Sequence, residues 1–261
     1  VAEISMALVL LIGAGLLVRS LQRLLQVNPG FQTQHVLTAR VALPEANYKE
    51  GAPLAVFYRN LVSKVRALPG VQEVGAVSLA PMTQTHSSGS TYVEDTGVTN
   101  VPIGEWVHVP YIEADRRYVT PGYFQAMRIA LLRGRLFTDA DDENAPKVAI
   151  VDEAFARRFW PNQEPLGRHI ATGSIEGTNP PQPEWRTIVG VVTHINNDTL
   201  AEAGREQTYF PQSQVPWVRS MTLAVRASVE PTALTSAVRS ALASLDPSLP
   251  LYQVRTMDEW L

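Results

Sequence analysis

The sequence predicts an α+β protein with an N-terminal transmembrane and stalk helix, then a split βαβ sheet interrupted by a small inserted α/β subdomain. Three observations support this prediction. The chain opens with a long apolar run that contains a single charged residue. A strand–helix–strand pattern occurs twice, once near each end of the remaining chain. The stretch between these two copies has its own short strands and helices, which indicates a separate subdomain.

The N-terminal apolar run, Val1–Val18, carries Glu3 as its only charge and has no polar face. At 1.5 Å per residue it spans about 27 Å, close to the roughly 30 Å of hydrocarbon in a bilayer. A signal peptide would have basic residues before the run and a small-residue cleavage site after it, and this sequence has neither. We therefore predict a membrane span, shortened at its start because the chain does not begin with Met.

The helix is predicted to continue beyond the membrane as a stalk. Its leucines recur at helical spacing, with polar residues between them, and no helix breaker precedes Asn28. An unbroken helix of this kind is either a stiff rod that transmits movement or a plain tether, and the pattern leaves both open. Arg19 and Arg23 favour a cytoplasmic end by the positive-inside rule, but long domains cross membranes largely regardless of charge, so orientation also stays open. The candidate transmission residues are Leu17, Leu21, Leu24 and Leu25.

The two strand–helix–strand units have matching patterns, each with a helix that is apolar on one face. The first unit has a strand at Leu37–Leu43, a helix from Pro53 to Leu68 and a strand at Val71–Leu79, and the second has a strand at Met221–Ala227, a helix from Pro231 to Leu245 and an extended segment at Leu249–Arg255. We predict that the two units pair into one sheet with both helices on one side, as in the split βαβ arrangement.

The inserted stretch has an order of its own. Its predicted elements are a long strand at Val107–Val119, a short helix after Thr120-Pro121, a buried strand at Lys147–Val151, a helix capped by Asp152, and strands at Thr187–Thr193 and Gln207–Phe210. Two further segments, Thr83–Thr91 and Gly173–Pro183, are predicted as exposed loops because of their polar, Gly- or Pro-rich composition.

Composition excludes several classes of function. Lys and Arg total 22 and Asp and Glu total 25, so the net charge of −3 offers no basic field for nucleic acid. Cysteine is absent, which excludes thiol catalysis, thiolate metal sites and disulfides. No phosphate-binding loop and no nucleophile-elbow motif is present. The acidic run Asp139–Glu143 resembles the start of a calcium loop but lacks Gly at the sixth position and Glu at the twelfth.

The histidines are scattered, and none forms a metal-binding pair at helical spacing. They are His35, His86, His108, His169 and His194. We therefore predict no catalytic residue, no bound metal and no cofactor.

Several stretches resemble the periplasmic core domain of MacB-type permeases, in the wider FtsX-like family. The stretches are ALVLLIGAGLLVRSLQRLLQVNPGF at Ala7–Phe31, VTPGYFQAMRIALLRGRLFTDAD at Val119–Asp141, VAIVDEAFARRFWPNQEPLGRHI at Val148–Ile170, IVGVV at Ile188–Val192 and the closing VRTMDEWL. Together they cover nearly the whole chain, and the second and third are the most specific. The resemblance is closest to long bacterial permeases that carry this unit twice, and the chain starts like the second repeat.

The resemblance implies a two-part architecture. It divides the chain into a transmembrane and stalk helix at residues 1–27, a porter-like subdomain at 34–80 and 219–261, and an inserted Sabre-like subdomain at 81–218. The resemblance also implies a bacterial inner-membrane protein with its soluble region in the periplasm. Its expected partners are the membrane, a cytoplasmic ABC ATPase subunit or domain, and a second permease repeat or a second copy of the chain.

Two non-enzymatic functions remain open at this point. In the first, the domain couples ATPase-driven motion to efflux or to extraction of a substrate. In the second, it is an interaction module that regulates a periplasmic partner such as a cell-wall hydrolase. A periplasmic enzyme is disfavoured because the sequence contains no recognisable catalytic constellation.

Overall fold

The computed structural model describes residue 5 and residues 10–19, 28–83, 87–94, 111–174, 183–197, 204–215 and 217–260. Its strands are β1 (Val36–Ala42), β2 (Val71–Val77), β3 (Ser88–Val93), β4 (Ile112–Val119), β5 (Leu131–Gly134), β6 (Val148–Asp152), β7 (His169–Ser174), β8 (Pro183–Val192), β9 (Gln207–Pro211), β10 (Ser220–Ala227) and β11 (Tyr252–Thr256). Its helices after residue 28 are α1 (Ala52–Arg66), α2 (Tyr123–Met127), α3 (Glu153–Phe159) and α4 (Thr235–Ala243), with 3-10 turns at Gln212–Gln214, Pro231–Leu234 and Met257–Trp260.

The two strand–helix–strand units form one antiparallel sheet in the order β11–β1–β10–β2. Strand β1 lies between the two strands of the second unit, so that Thr38 pairs with Ala224 on one side and with Arg255 on the other. The prediction that Leu37–Leu43 and Met221–Ala227 share a sheet is confirmed. The two strands are separated by most of the chain. Their register is fixed because a slip of one residue would turn the buried apolar side chains to the other face of the sheet.

Helices α1 and α4 pack against each other on one face of this sheet, as the split βαβ pattern predicts. Leu37 and Val41 of β1 belong to the same buried cluster as Leu61 of α1 and Leu242 of α4. Pro53 stands in the first turn of α1, where its missing N–H costs no hydrogen bond. The apolar faces of both helices therefore form the core of this half of the molecule.

Replacing Leu61 or Leu242 by Ala should lower the free energy of unfolding by about 2–5 kcal/mol, because each side chain is fully buried and a cavity would remain. Chemical denaturation followed by circular dichroism measures the loss. Val56→Ala is the control, since Val56 lies on the outer face of α1 and is 42% exposed. An equal effect at all three positions would contradict this assignment of the core face.

The opposite face of the sheet is covered by the short helix α2. Phe124 and Met127 of α2 share a second buried cluster with Val36 of β1 and Ala224 of β10. The approach is close at Gly75 of β2, where an added Cβ would lie 2.2 Å from the backbone nitrogen of Tyr123. Glycine is required there because any side chain would displace the helix from the sheet.

The stretch between the two halves of the sheet forms a closed ring of strands. The pairings run β4–β3–β7–β8–β6–β9, and β9 returns to β4 in a parallel ladder. Strand β5 pairs with the C-terminal end of β8, at residues 190–192. The pair Val77–Val119 joins the ring to the first sheet. Closure leaves the six ring strands without free edges, which stabilises a small β unit.

Two expectations about the inserted stretch were wrong. Residues 88–91 of the predicted loop Thr83–Thr91 belong to strand β3, and the N-terminal part of the predicted loop Gly173–Pro183 belongs to β7. Both strands contain Gly, Ser and Thr, and their stability comes from pairing with distant strands. The strand predicted at Val107–Val119 is β4, which begins at Ile112, and residues 107–110 lie outside the described part.

Candidate functional site

The predicted transmission residues lie mainly outside the described part of the chain. Leu17 belongs to a helical stretch at residues 10–19 and is 73% exposed, whereas Leu21, Leu24 and Leu25 fall within residues 20–27. Among the residues that the structure describes, no helix is both long and apolar enough to cross a membrane. The stalk therefore remains a prediction, and the described structure begins again at the point where the stalk would enter the domain.

Residues 28–35, here called the anchor segment, connect that point to β1. Backbone hydrogen bonds tie this segment to three different elements: Gln32 N donates to Met127 O (2.9 Å), Asn196 N donates to Pro29 O (2.8 Å), and Ala227 N donates to His35 O (2.8 Å). The partners belong to α2, to the loop after β8, and to β10. The anchor segment is thus fixed to both the sheet and the ring of strands.

The guanidinium group of Arg226 is the centre of this anchorage. It donates from Nε to Ala126 O (2.7 Å), from Nη1 to Gln34 O (2.9 Å) and from Nη2 to Gln32 O (3.0 Å). The side chain is only 5% exposed, and burial, with a smaller contribution from the nearby charge of Arg128, lowers its pKa. Each of its three nitrogens therefore satisfies a backbone carbonyl, which links β10, the end of α2 and the anchor segment through one side chain.

Close packing adds to these hydrogen bonds at Gly30 and Phe31. Phe31 is buried in the cluster beneath the second sheet face. Gly30 has φ 84°, and an added Cβ would lie 2.3 Å from the carbonyl oxygen of His194. Only glycine adopts this conformation without strain and admits such an approach, so the anchor segment fits against the loop after β8 in one position.

That loop rests on a buried polar group around Asp152. One carboxylate oxygen of Asp152 accepts from Phe155 N (2.8 Å), as expected of the cap of α3, and from Gln207 N (3.1 Å). The other oxygen bonds to Nδ1 of His194, and the side-chain amide of Gln207 donates to Ile195 O. The carboxylate therefore holds α3, β9 and the loop that contacts the anchor segment in a fixed relation.

The pair His194–Asp152 makes stability depend on pH. The hydrogen bond to Asp152 raises the pKa of His194 from its ordinary value near 6.5. A raised pKa in the folded state contributes stability that is fully present below about pH 6.5 and is lost as the pH rises through the folded-state pKa. We expect the melting temperature to fall as the pH rises above about 6.5 through the raised pKa of His194, and to fall less in His194→Gln. An identical pH profile in the variant would show that His194 contributes nothing.

The C-terminal end of the domain lies beside the anchor segment. Leu37, near the start of β1, pairs with Thr256 at the end of β11. Trp260 Nε1 donates to Oγ1 of Thr38 (3.0 Å), and the guanidinium of Arg255 lies 4.9 Å from the centre of the Trp260 ring. The anchor segment, which leads into β1, and the residues that follow β11 therefore lie at the same end of the sheet.

The other two described histidines, His169 and His35, have separate surroundings. His169 bonds to Glu94 (2.6 Å) on the ring of strands, His35 has φ 59° at the start of β1, and His86 and His108 lie outside the described residues. Within the described ranges, no three His, Asp or Glu side chains lie close enough together to hold a metal ion.

These features define a class: a two-part α+β domain whose incoming and outgoing segments are anchored at one end of its sheet. The chain belongs to the family of MacB-like periplasmic core domains, whose family model matches residues 4–245. The resemblance drawn from the sequence motifs is thereby confirmed. No curated protein matches the chain.

The chain is also similar to solved structures. The periplasmic region of MacB from Actinobacillus actinomycetemcomitans is 17% identical, with a TM-score of 0.53 over 91% of this chain and 95% of that chain. The extracellular domain of the noncanonic ABC-type transporter YknZ from Gram-positive bacteria is 14% identical, with a TM-score of 0.48 over 83% of this chain and 100% of that chain. A domain of a putative permease from Porphyromonas gingivalis is 12% identical, with a TM-score of 0.48 over 87% of this chain and 92% of that chain.

Proposed function

We propose that this chain is the periplasmic core domain of an ABC-type permease and couples the motion of a cytoplasmic ATPase to efflux or extraction of a substrate in the periplasm. The domain itself is non-catalytic in this proposal and needs no cofactor. Its residues 1–27 form the transmembrane and stalk helix, which anchors it in the bacterial inner membrane. Residues 34–80 and 219–261 form the porter-like subdomain, and residues 81–218 form the Sabre-like insert.

The anchor segment is the observation that best supports coupling. A domain that is merely tethered needs no more than a covalent connection to its membrane helix. Here the first residues after the stalk are held by Arg226, by backbone bonds to three elements and by the close approach at Gly30. A displacement of the stalk would therefore be passed to the sheet and the ring together, because neither can move independently of the segment between them.

The proposal requires an ATPase partner, which gives a direct test. The full-length permease is purified from membranes with its ATPase and placed in nanodiscs. This stretch of 261 residues contributes no cysteine, so once any cysteine elsewhere in the complex has been replaced, a single Arg239→Cys substitution on the exposed face of α4 can carry a spin label. Two copies, or two repeats labelled at matching positions, should show an ATP-dependent change in the distance between labels.

Trapping the ATPase with vanadate should hold the label-to-label distance seen with ATP. ADP should restore the distance seen without nucleotide. An unchanged distance in a complex that hydrolyses ATP would contradict coupling. Copurification of a cell-wall hydrolase without an ATPase would instead favour the regulatory interaction module.

A further inference from the structure

A cavity of about 320 Å³ lies between the two halves of the molecule. Helix α1 forms one wall, the loop at residues 138–142 forms the facing wall, and Thr120 and the turn at Gln212 close the space between them. The volume is at the lower end of the range of small-molecule sites. Most of the residues that line it are polar or charged, so charges and hydrogen bonds are available to hold a ligand.

The α1 wall is positively charged. Arg59 and Arg66 lie seven residues apart, two helical turns along one face, and both line the cavity. Arg66 donates to Val74 O (3.3 Å), which positions it beside Thr120. Arg59 is exposed and makes no hydrogen bond or ion pair within the described part of the chain. Its guanidinium is therefore available to an anionic group.

The facing wall is negatively charged and held in a fixed shape. Arg135 makes a two-pronged ion pair with Asp141 (2.8 and 2.7 Å), and Ser213 Oγ donates to the carbonyl of Asp141 (2.7 Å). Asp139 and Asp142 line the cavity on either side of this residue. One carboxylate oxygen of Asp142 accepts hydrogen bonds from the backbone N–H groups of Asn144 and Ala145. Asp139 makes no ion pair with Arg59 or with any other described cation.

Opposite charges thus line the same cavity without an ion pair between them in the described part of the chain. We propose that this cavity binds a short peptide with free ends, whose carboxylate contacts Arg59 and Arg66 and whose ammonium group contacts Asp139 and Asp142. A peptide of about two or three residues suits a site of this volume. Charge-assisted hydrogen bonds at both ends would select a zwitterion over a ligand of one sign.

The test uses the 261-residue chain in detergent and trialanine as the probe, with binding measured by isothermal titration calorimetry. Trialanine should bind, and either N-acetylation or C-amidation of the peptide should weaken binding by about tenfold or more. Equal binding of the doubly blocked peptide would overturn the proposal, because the site would then recognise a chain segment and not free termini. Absence of trialanine binding at millimolar concentration would overturn it as well.

Two variants assign each end of the peptide. Arg59→Gln should weaken the preference for the free carboxylate while keeping the preference for the free amine, and Asp139→Asn should do the reverse, because Arg66 and Asp142 each keep one contact. Both residues are exposed and unpaired among the described residues, so the melting temperature should not change. Arg239→Gln on α4 is the matched control and should bind trialanine as the natural chain does. Unaltered preferences in both cavity variants would overturn the proposal, whatever the outcome of the coupling experiments.

Discussion

Insertion of four Gly and Ser residues after Gln22 should abolish transport by the full permease while leaving the periplasmic domain folded. The predicted stalk has no helix breaker before Asn28, and the anchor segment that follows is fixed to the domain by Arg226. A Gly/Ser insert preserves the connection but removes stiffness, so motion at the membrane would no longer reach the anchor segment. Transport and ATP hydrolysis are measured in proteoliposomes, and circular dichroism checks the fold.

The control is an insertion of four Ala and Lys residues at the same position, which adds the same length but keeps the helix stiff. It should retain more activity than the Gly/Ser insert. Leu21→Pro should behave like the Gly/Ser insert, because proline in a helix interior costs about 3 kcal/mol or more and kinks the helix. Full transport in the Gly/Ser variant would show that the helix is only an anchor, and the transmission role would be withdrawn.

The split βαβ sheet was accessible from the sequence because its signals are local and repeated. Pro53 stands in the first turn of α1, and Pro231 opens the 3-10 turn that leads into α4; both helices stop before a Pro or Asp-Pro signal, and the strands are rich in apolar residues. The cap at Asp152 was accessible for the same reason, since a cap contacts residues only three positions away. Once two matching units are recognised, burial of both helical faces nearly dictates that they share a sheet.

The ring of strands was not accessible because its defining contacts are non-local. The closing ladder pairs Asp115 with Gln207 and Val119 with Pro211. Neither segment has a sequence feature that identifies the other as its partner. Strand β3 has the composition of a loop, SGSTYV, and becomes a strand because β4 and β7 lie on both sides of it. Propensity is weak wherever tertiary pairing supplies the hydrogen bonds.

The anchor segment was missed for a different reason. Arg226 donates to three backbone carbonyls, and carbonyls carry no sequence signal. One clue was present: Arg226 interrupts the otherwise apolar end of the strand MTLAVRA, and a charged residue in a buried strand requires partners. Its partners could be named only after the fold placed α2 and the anchor segment against the same sheet face.

Replacing Arg226 by Met should therefore detach the anchor segment from the sheet. Methionine keeps much of the buried volume but leaves the carbonyls of Gln32, Gln34 and Ala126 without donors. Ala126 is fully buried, so its unpaired carbonyl should lower the free energy of unfolding by about 1–3 kcal/mol, whereas Gln32 and Gln34 are exposed residues whose carbonyls can bond to water. Hydrogen exchange should accelerate most at the amides of Gln32 and Ala227, which are bonded across this junction.

Arg40→Met is the matched control, since Arg40 lies in the neighbouring strand β1 and its guanidinium makes one side-chain bond, from Nε to Ser220 Oγ (2.9 Å). It should be tolerated far better and should leave exchange at the anchor segment unchanged. In the full permease, Arg226→Met should reduce transport more than it reduces ATP hydrolysis, because the ATPase still turns over while its motion no longer reaches the domain. Unchanged exchange at Gln32 and Ala227, or equal losses in both arginine variants, would show that Arg226 does not hold the junction.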